Sequence, residues 1–261
     1  MRRFSVCLVV MLLLTNCSRM GGTPPPPAED RINAPTTPAD APPAIAFAPT
    51  ETPLGDGTTT PAGTAQTINA AVWSDNWFAL YVDETLVKED SVSITTERSF
   101  NSEVFSFDAT YPLHINVVLK DYIQNDTGLE YIGTDRQQIG DGGFIAQFSD
   151  AATGTRIAVT NSSWKCTPIH IAPLEPACAA AANPTAGQGA CTNTIVPEPD
   201  GWKTQGFDDT AWPAATVYDA GAVGPKEGYD DISWDRSAQF IWGPDLKTNN
   251  TVLCRVTIQA P

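Results

Sequence analysis

From about residue 67 to the C-terminus, the chain repeats short runs in which apolar and polar residues alternate or β-branched and aromatic residues crowd together. Alternation places successive side chains on opposite faces of an extended chain, so these runs predict strands. They fall at Thr67 to Trp73, Trp77 to Val82, Leu86 to Val87, Glu103 to Phe107, Leu113 to Asp121, Phe144 to Ser149, Arg156 to Thr160, Ala215 to Tyr218, Phe240 to Trp242 and Val252 to Gln259. Ser74-Asp75-Asn76, between the first two, is a turn signature and predicts a hairpin. No part of this region sustains a helical apolar period, and the one helix expected is a short one near Pro176 to Ala182. The expected fold class is therefore all-β, an antiparallel β-sandwich or jelly roll spanning residues 67–261.

The N-terminal part has a different pattern. Arg2 and Arg3 precede a nearly unbroken apolar run from Val6 to Leu14, the order of an export signal. That run is shorter than the roughly 20 residues a membrane-spanning helix needs. Leu14-Thr15-Asn16-Cys17 resembles the bacterial lipobox. The resemblance implies a signal peptide over 1–16, a lipidated Cys17 carrying palmitate-type chains, and, with Ser18 following, an outer-membrane location in the cell envelope. Residues 17–66 are dominated by Pro, Thr, Ala and Gly, with Pro24 to Pro27 in a row. Such a segment buries too little surface to offset its ordering entropy, which predicts a disordered tether. Lipid chains hold a protein on a bilayer by about 0.8 kcal/mol per buried CH₂, so the head would meet the membrane through its anchor alone.

The formal net charge is −15, and loss of Arg2 and Arg3 with the signal makes it more negative still. Nucleic acid is bound through basic patches, and no Lys/Arg cluster exists here, so it is not an expected partner. Six cysteines divide into Cys7 in the signal, Cys17 at the lipid site, and Cys166, Cys178, Cys191 and Cys254 in the domain. Four cysteines in an exported domain imply two disulfides with three connectivities open. Cys178 with Cys191 closes an Ala/Gly/Pro/Asn-rich loop, and Cys166 with Cys254 ties two expected strands; this is the favoured pairing. A zinc site is disfavoured by the lack of a Cys-x-x-Cys pair, with only His114 and His170 to help.

Several segments resemble a known family. Ser74-Asp75-Asn76-Trp77-Phe78-Ala79-Leu80-Tyr81-Val82-Asp83 looks like the "D-x-x-x-L-Y-V-N-G" strand and turn of galactose-binding-like domains. Gly142-Gly143-Phe144-Ile145-Ala146-Gln147-Phe148 is similar to their "G-G-L-I-A-E-L" strand. Thr160-Asn161-Ser162-Ser163-Trp164-Lys165 resembles "T-D-x-S-W-K", and Phe207-Asp208-Asp209-Thr210-Ala211-Trp212 resembles "F-D-D-S-x-W". The order is that of jelly-roll accessory domains in bacterial glycoside hydrolases such as α-L-rhamnosidases. Two departures stand out: Asp83-Glu84 replaces the Asn-Gly turn, and a cysteine-bearing insertion occupies about Pro168 to Pro199. The resemblance implies a galactose-binding-like sandwich and raises carbohydrate as a ligand class. Trp164 and Trp212 are read as core plugs, with Ser163 or Asp208/Asp209 capping the adjacent turns.

Seven tryptophans and six tyrosines fit that class, since sugar C–H faces pack on aromatic planes while carboxylates and amides bond hydroxyls. The expected ligand-contacting loop is Gly228 to Asp235, with Tyr229, Asp230, Asp231 and Trp234. Asp75 and Asn76 form a second candidate, and Ile139-Gly140-Asp141-Gly142-Gly143 a third acidic loop. Calcium is conceivable at these loops, but no EF-hand spacing supports it, and no cofactor is otherwise expected. No Gly-x-Ser-x-Gly, His-Glu-x-x-His or P-loop pattern occurs, and His114 lies inside a strand-like run. The expectation is a non-enzymatic, lipid-anchored surface module binding carbohydrate. A structural protein docking to an envelope partner is the alternative, and a glycoside-processing enzyme the third.

Overall fold

The computed structural model of the chain describes residues 63–94 and 101–260. The expected signal over 1–16, the lipidation of Cys17 and the tether up to residue 62 lie outside the described residues. The first strand, β1 (Gln66–Asp75), starts one residue before the predicted domain boundary. After it come β2 (Trp77–Val82), β3 (Thr85–Glu89), β4 (Asn101–Ala109), β5 (Leu113–Lys120), β6 (Leu129–Glu130), β7 (Gln138–Ile139) and β8 (Gly143–Asp150). β9 (Arg156–Val159), β10 (Lys165–Ile171), β11 (Thr194–Ile195), β12 (Thr216–Tyr218), one helical turn α1 (Ala220–Val223), β13 (Phe240–Trp242) and β14 (Asn249–Ile258) complete the order.

All strand pairs are antiparallel. One large sheet runs β12-β13-β8-β1-β4, with β9 also on β8; the other runs β11-β10-β14-β5-β2-β3, and β6 and β7 form a separate two-stranded sheet. The chain thus forms an all-β antiparallel sandwich compatible with a jelly roll, as its alternating pattern predicts. The expected helix near Pro176 is a 3₁₀ segment, Pro176–Ala180.

The predicted hairpin at Ser74-Asp75-Asn76 is corrected. β1 and β2 lie in different sheets, and the turn carries the chain across the sandwich. β1 is hydrogen-bonded on one edge to β4 and on the other to β8, so no edge is left for β2. The Asn76 amide instead donates to the Lys120 carbonyl at 3.0 Å, and β2 pairs with β5. Pro168, at the start of the expected insertion, lies inside β10. A register irregularity follows Pro168, which has no N–H to give the ladder.

Inward residues of both sheets meet in one core, with Val72, Phe78, Leu80, Ile115, Leu119, Phe144, Phe148 and Trp164 at its centre. Trp164 packs between the Phe144 and Phe148 rings, each centroid 6.4 Å away, and its Nε1 donates to the Val159 carbonyl at 3.0 Å. The Asn161 carboxamide, not Ser163, forms the preceding turn, accepting the Ser163 amide at 2.8 Å. The disulfides are Cys166–Cys254, between facing residues of β10 and β14, and Cys178–Cys191, across a loop of separation 13.

Each sheet also has an apolar outer face with a segment folded over it. On the second sheet, Ala79, Val118 and Leu253 are covered by Trp202, Phe207 and Trp212. Asp209 fastens this cover, pairing with Lys165 at 2.8 Å and Arg255 at 3.5 Å, while Asp208 caps the Thr210 amide at 3.0 Å. On the first sheet, Trp73, Ile145 and Phe240 are covered by Val223, Tyr229 and Trp234. His114 bonds the Thr257 hydroxyl at 2.9 Å across β5 and β14, a structural contact within a sheet.

Candidate functional site

The covering segment of the first sheet carries the leading candidate loop. Tyr229, Asp230 and Asp231 form a 3₁₀ turn (Tyr229–Asp231), with Gly228 at its start in the left-handed region. The Tyr229 ring stacks on Phe240 at 5.3 Å and on Trp234 at 5.8 Å, and meets Trp73 edge-on at 6.1 Å. Trp234 is bound inward, its Nε1 donating to the Tyr229 carbonyl at 3.0 Å, which makes it a buttress for Tyr229. Asp230 and Asp231 are exposed beside it. Tyr229 borders a recess of about 310 Å³ whose other lining includes Tyr218, Asp219, Gln239 and Phe240. Asp219 is partly committed, accepting the Ala222 amide at 2.8 Å to cap α1.

The three acidic loops singled out in the sequence lie close to one another. Lys226, in the segment leading to Tyr229, approaches the Asp75 carboxylate at 3.8 Å, and the Trp73 Nε1 donates to the Glu227 carbonyl at 2.9 Å. Asp75 pairs in register with Gly143 at the end of the glycine-rich loop, and its side chain interacts with that of Asp141. Asn76 does not bond its own turn; its Oδ1 accepts the Tyr122 amide at 2.6 Å, anchoring the crossing to the end of β5.

Two groups that pattern reading did not flag join this cluster, Asp121 just after β5 and Glu130 on β6. Asp121 and Asp75 are 3 % and 1 % exposed. Neither carboxylate has a well-formed hydrogen bond among the described residues; Asp75 leans on Asp141 and Lys226, and Asp121 on the Tyr122 amide, only weakly. Gly140 packs so closely on Asp121 that a side chain there would strike its carboxylate. Burial first, then the nearby Asp141, pushes the Asp75 carboxyl up to about 7, against the opposing pull of Lys226. Burial, followed by the charges of Glu130, Asp75 and Asp141, raises Asp121 well above the usual carboxylate range.

A signal for Asp121 is present in the sequence. Leu113, Ile115, Val117 and Leu119 all point into the core, so position 121 inherits the inward parity and puts a carboxylate at the end of the interior. Glu130, Lys226 and the recess residues Tyr218, Asp219 and Gln239 carry no such mark. His170, disfavoured as a ligand, sits on β10, where burial lowers its imidazole below the usual range.

A second concavity of about 310 Å³ lies on the opposite sheet, lined by Glu84, Glu198, Asp200, Trp202 and Lys203 among others. There Trp202 donates to Glu198 at 2.8 Å, and the Lys203 ammonium lies 4.4 Å from the Tyr81 ring centroid.

The chain matches no family model, no curated protein and no solved structure.

Proposed function

We propose that this chain is a non-catalytic binding module with a galactose-binding-like sandwich, displayed at a bacterial cell surface by a lipidated Cys17, and that its ligand is carbohydrate. The observation that carries the ligand class is the recess where Tyr218, Tyr229 and Phe240 stand beside Asp219 and Gln239. Aromatic faces accept the C–H faces of sugar rings, and a carboxylate and a carboxamide bond the hydroxyls. Two disulfides support export, since such bonds persist in oxidising compartments. The convergent carboxylates Asp75 and Asp121 are buried, not set across an open cleft as glycoside hydrolysis requires, which favours binding over catalysis.

A glycan array probed with the purified chain, with Tyr229→Ala and with Gln239→Ala tests the reading. The expected result is selective binding by the wild type that both substitutions weaken about tenfold or more. An array without any binding abandons carbohydrate. It would turn attention to protein docking at the β11 edge, where Leu174, Ile195 and Val196 are exposed apolar residues.

A further inference from the structure

The carbohydrate reading leaves the buried acidic cluster unused. Asp75, Asp121, Glu130 and Asp141 come from four separate segments, yet each lies within electrostatic reach of Asp75 or Asp121. Burying a carboxylate without donors is expensive, and a protein avoids the cost by pairing it or by placing a cation there. Asp121 has no such pairing. It is 3 % exposed, and both oxygens lack a well-formed hydrogen bond among the described residues. The adjacent Tyr122 amide bonds the Asn76 Oδ1 at 2.6 Å and gives the Asp121 carboxylate only a minor pull against its burial. Lys226 brings an ammonium to Asp75 at 3.8 Å, one positive charge against several negative ones.

We propose that this cluster is a binding site for a divalent cation of the calcium class, with Asp75 and Asp121 as its anionic ligands and the charge of Asp141, on the glycine-rich loop, beside them. The donors are carboxylate oxygens, with no thiol or imidazole beside them, which selects a hard cation. Ser74 Oγ and Asn250 Oδ1 are further buried oxygens without partners, on β1 and at the start of β14, where the Asn250 carbonyl accepts the Asp121 amide. No three His, Cys, Asp or Glu groups among the described residues stand ready as a metal shell. The site therefore needs waters and neutral oxygens to complete it. Calcium accepts that, taking about six to eight oxygens in irregular geometry, whereas magnesium demands a near-octahedral arrangement. A bound ion would tie the sheet crossing at Asp75 to the end of β5 and to the loop before β8.

The test is thermal melting and titration calorimetry of the purified full chain, stripped with chelator and then given calcium chloride, magnesium chloride or sodium chloride at matched ionic strength. Calcium at about a hundred times its Kd raises the melting temperature by about 5–10 °C, with a one-site heat, and magnesium does less. Asp121→Asn and Asp75→Asn abolish the calcium response; Asp141→Asn, on a half-buried loop position, serves if either fails to fold. Asp90→Asn, outside the cluster, keeps the response. A wild-type melting temperature indifferent to calcium, or a response that survives the cluster substitutions, overturns the proposal. No glycan enters the assay, so its outcome is separate from that of the array.

Discussion

Replacing Cys166 and Cys254 together with alanine removes a cross-link that spans a sequence separation of 88. On the loop-closure model, opening a loop of that length restores about 15 cal/mol/K to the unfolded chain, or about 4.6 kcal/mol at 25 °C. The same substitution at Cys178 and Cys191 opens a loop of separation 13, for which the model gives about 2.9 kcal/mol. All four sulfurs belong to buried residues, so both double variants also lose similar packing. The difference of about 1.7 kcal/mol isolates loop length. Set against a typical folding stability of about 5–15 kcal/mol, the longer cross-link is a large fraction of the whole. Guanidinium denaturation of the wild type and both double variants measures the losses directly. A loss at Cys178/Cys191 equal to or larger than that at Cys166/Cys254 would refute the reasoning.

Trp164→Ala, at the centre of the core, lowers stability by about 3–5 kcal/mol in urea titration, while Trp212→Ala on the covered outer face costs less than half as much. Gly128→Ala is severely destabilising, because Gly128 has φ +71° and a Cβ there would strike the Ala172 carbonyl. Gly133→Ala, at φ +79° but with open space around it, loses only about 1–2 kcal/mol, and the pair of melting curves separates steric clash from backbone preference. Asp90 is pushed by burial up to about 7 from 3.8. Its folded form therefore holds a proton that the unfolded chain releases, and the associated stability, complete below about pH 4, is lost as pH rises through 7. Asp90→Asn mimics the protonated side chain, so its melting temperature matches the wild type near pH 4 and exceeds it at pH 8; a pH-independent difference between the two would contradict this.

Alternation made β4 legible, since it sets a half-buried row against an exposed one, whereas β14, buried at four successive positions, was read from its crowded β-branched and apolar residues. The disulfide pairing was also readable, because only one choice combined a short loop with a tie between strands. The partition into sheets was not. β5 is buried along nearly its whole length, with Val118 under Trp202 on one side and Leu119 in the core on the other. Nothing in a turn such as Ser74-Asp75-Asn76 says whether the next strand pairs with the last or crosses away from it. Tyr229 and Asp75 were identifiable from local crowding of aromatic and acidic residues. Their neighbourhood was not, since Asp121, Glu130 and Lys226 reach it from distant parts of the chain that only tertiary packing brings together.

The position of β1 between β4 and β8 has a mechanical consequence. Tension applied through the chain preceding Gln66 pulls along the axis of a central strand whose ladders on both edges are nearly full length. Those hydrogen bonds are loaded together in shear instead of being peeled one at a time from a free edge. Under the lipid anchoring proposed above, a load would reach the domain through this strand, and rupture would be governed by the unfolding rate under force and not by equilibrium stability alone.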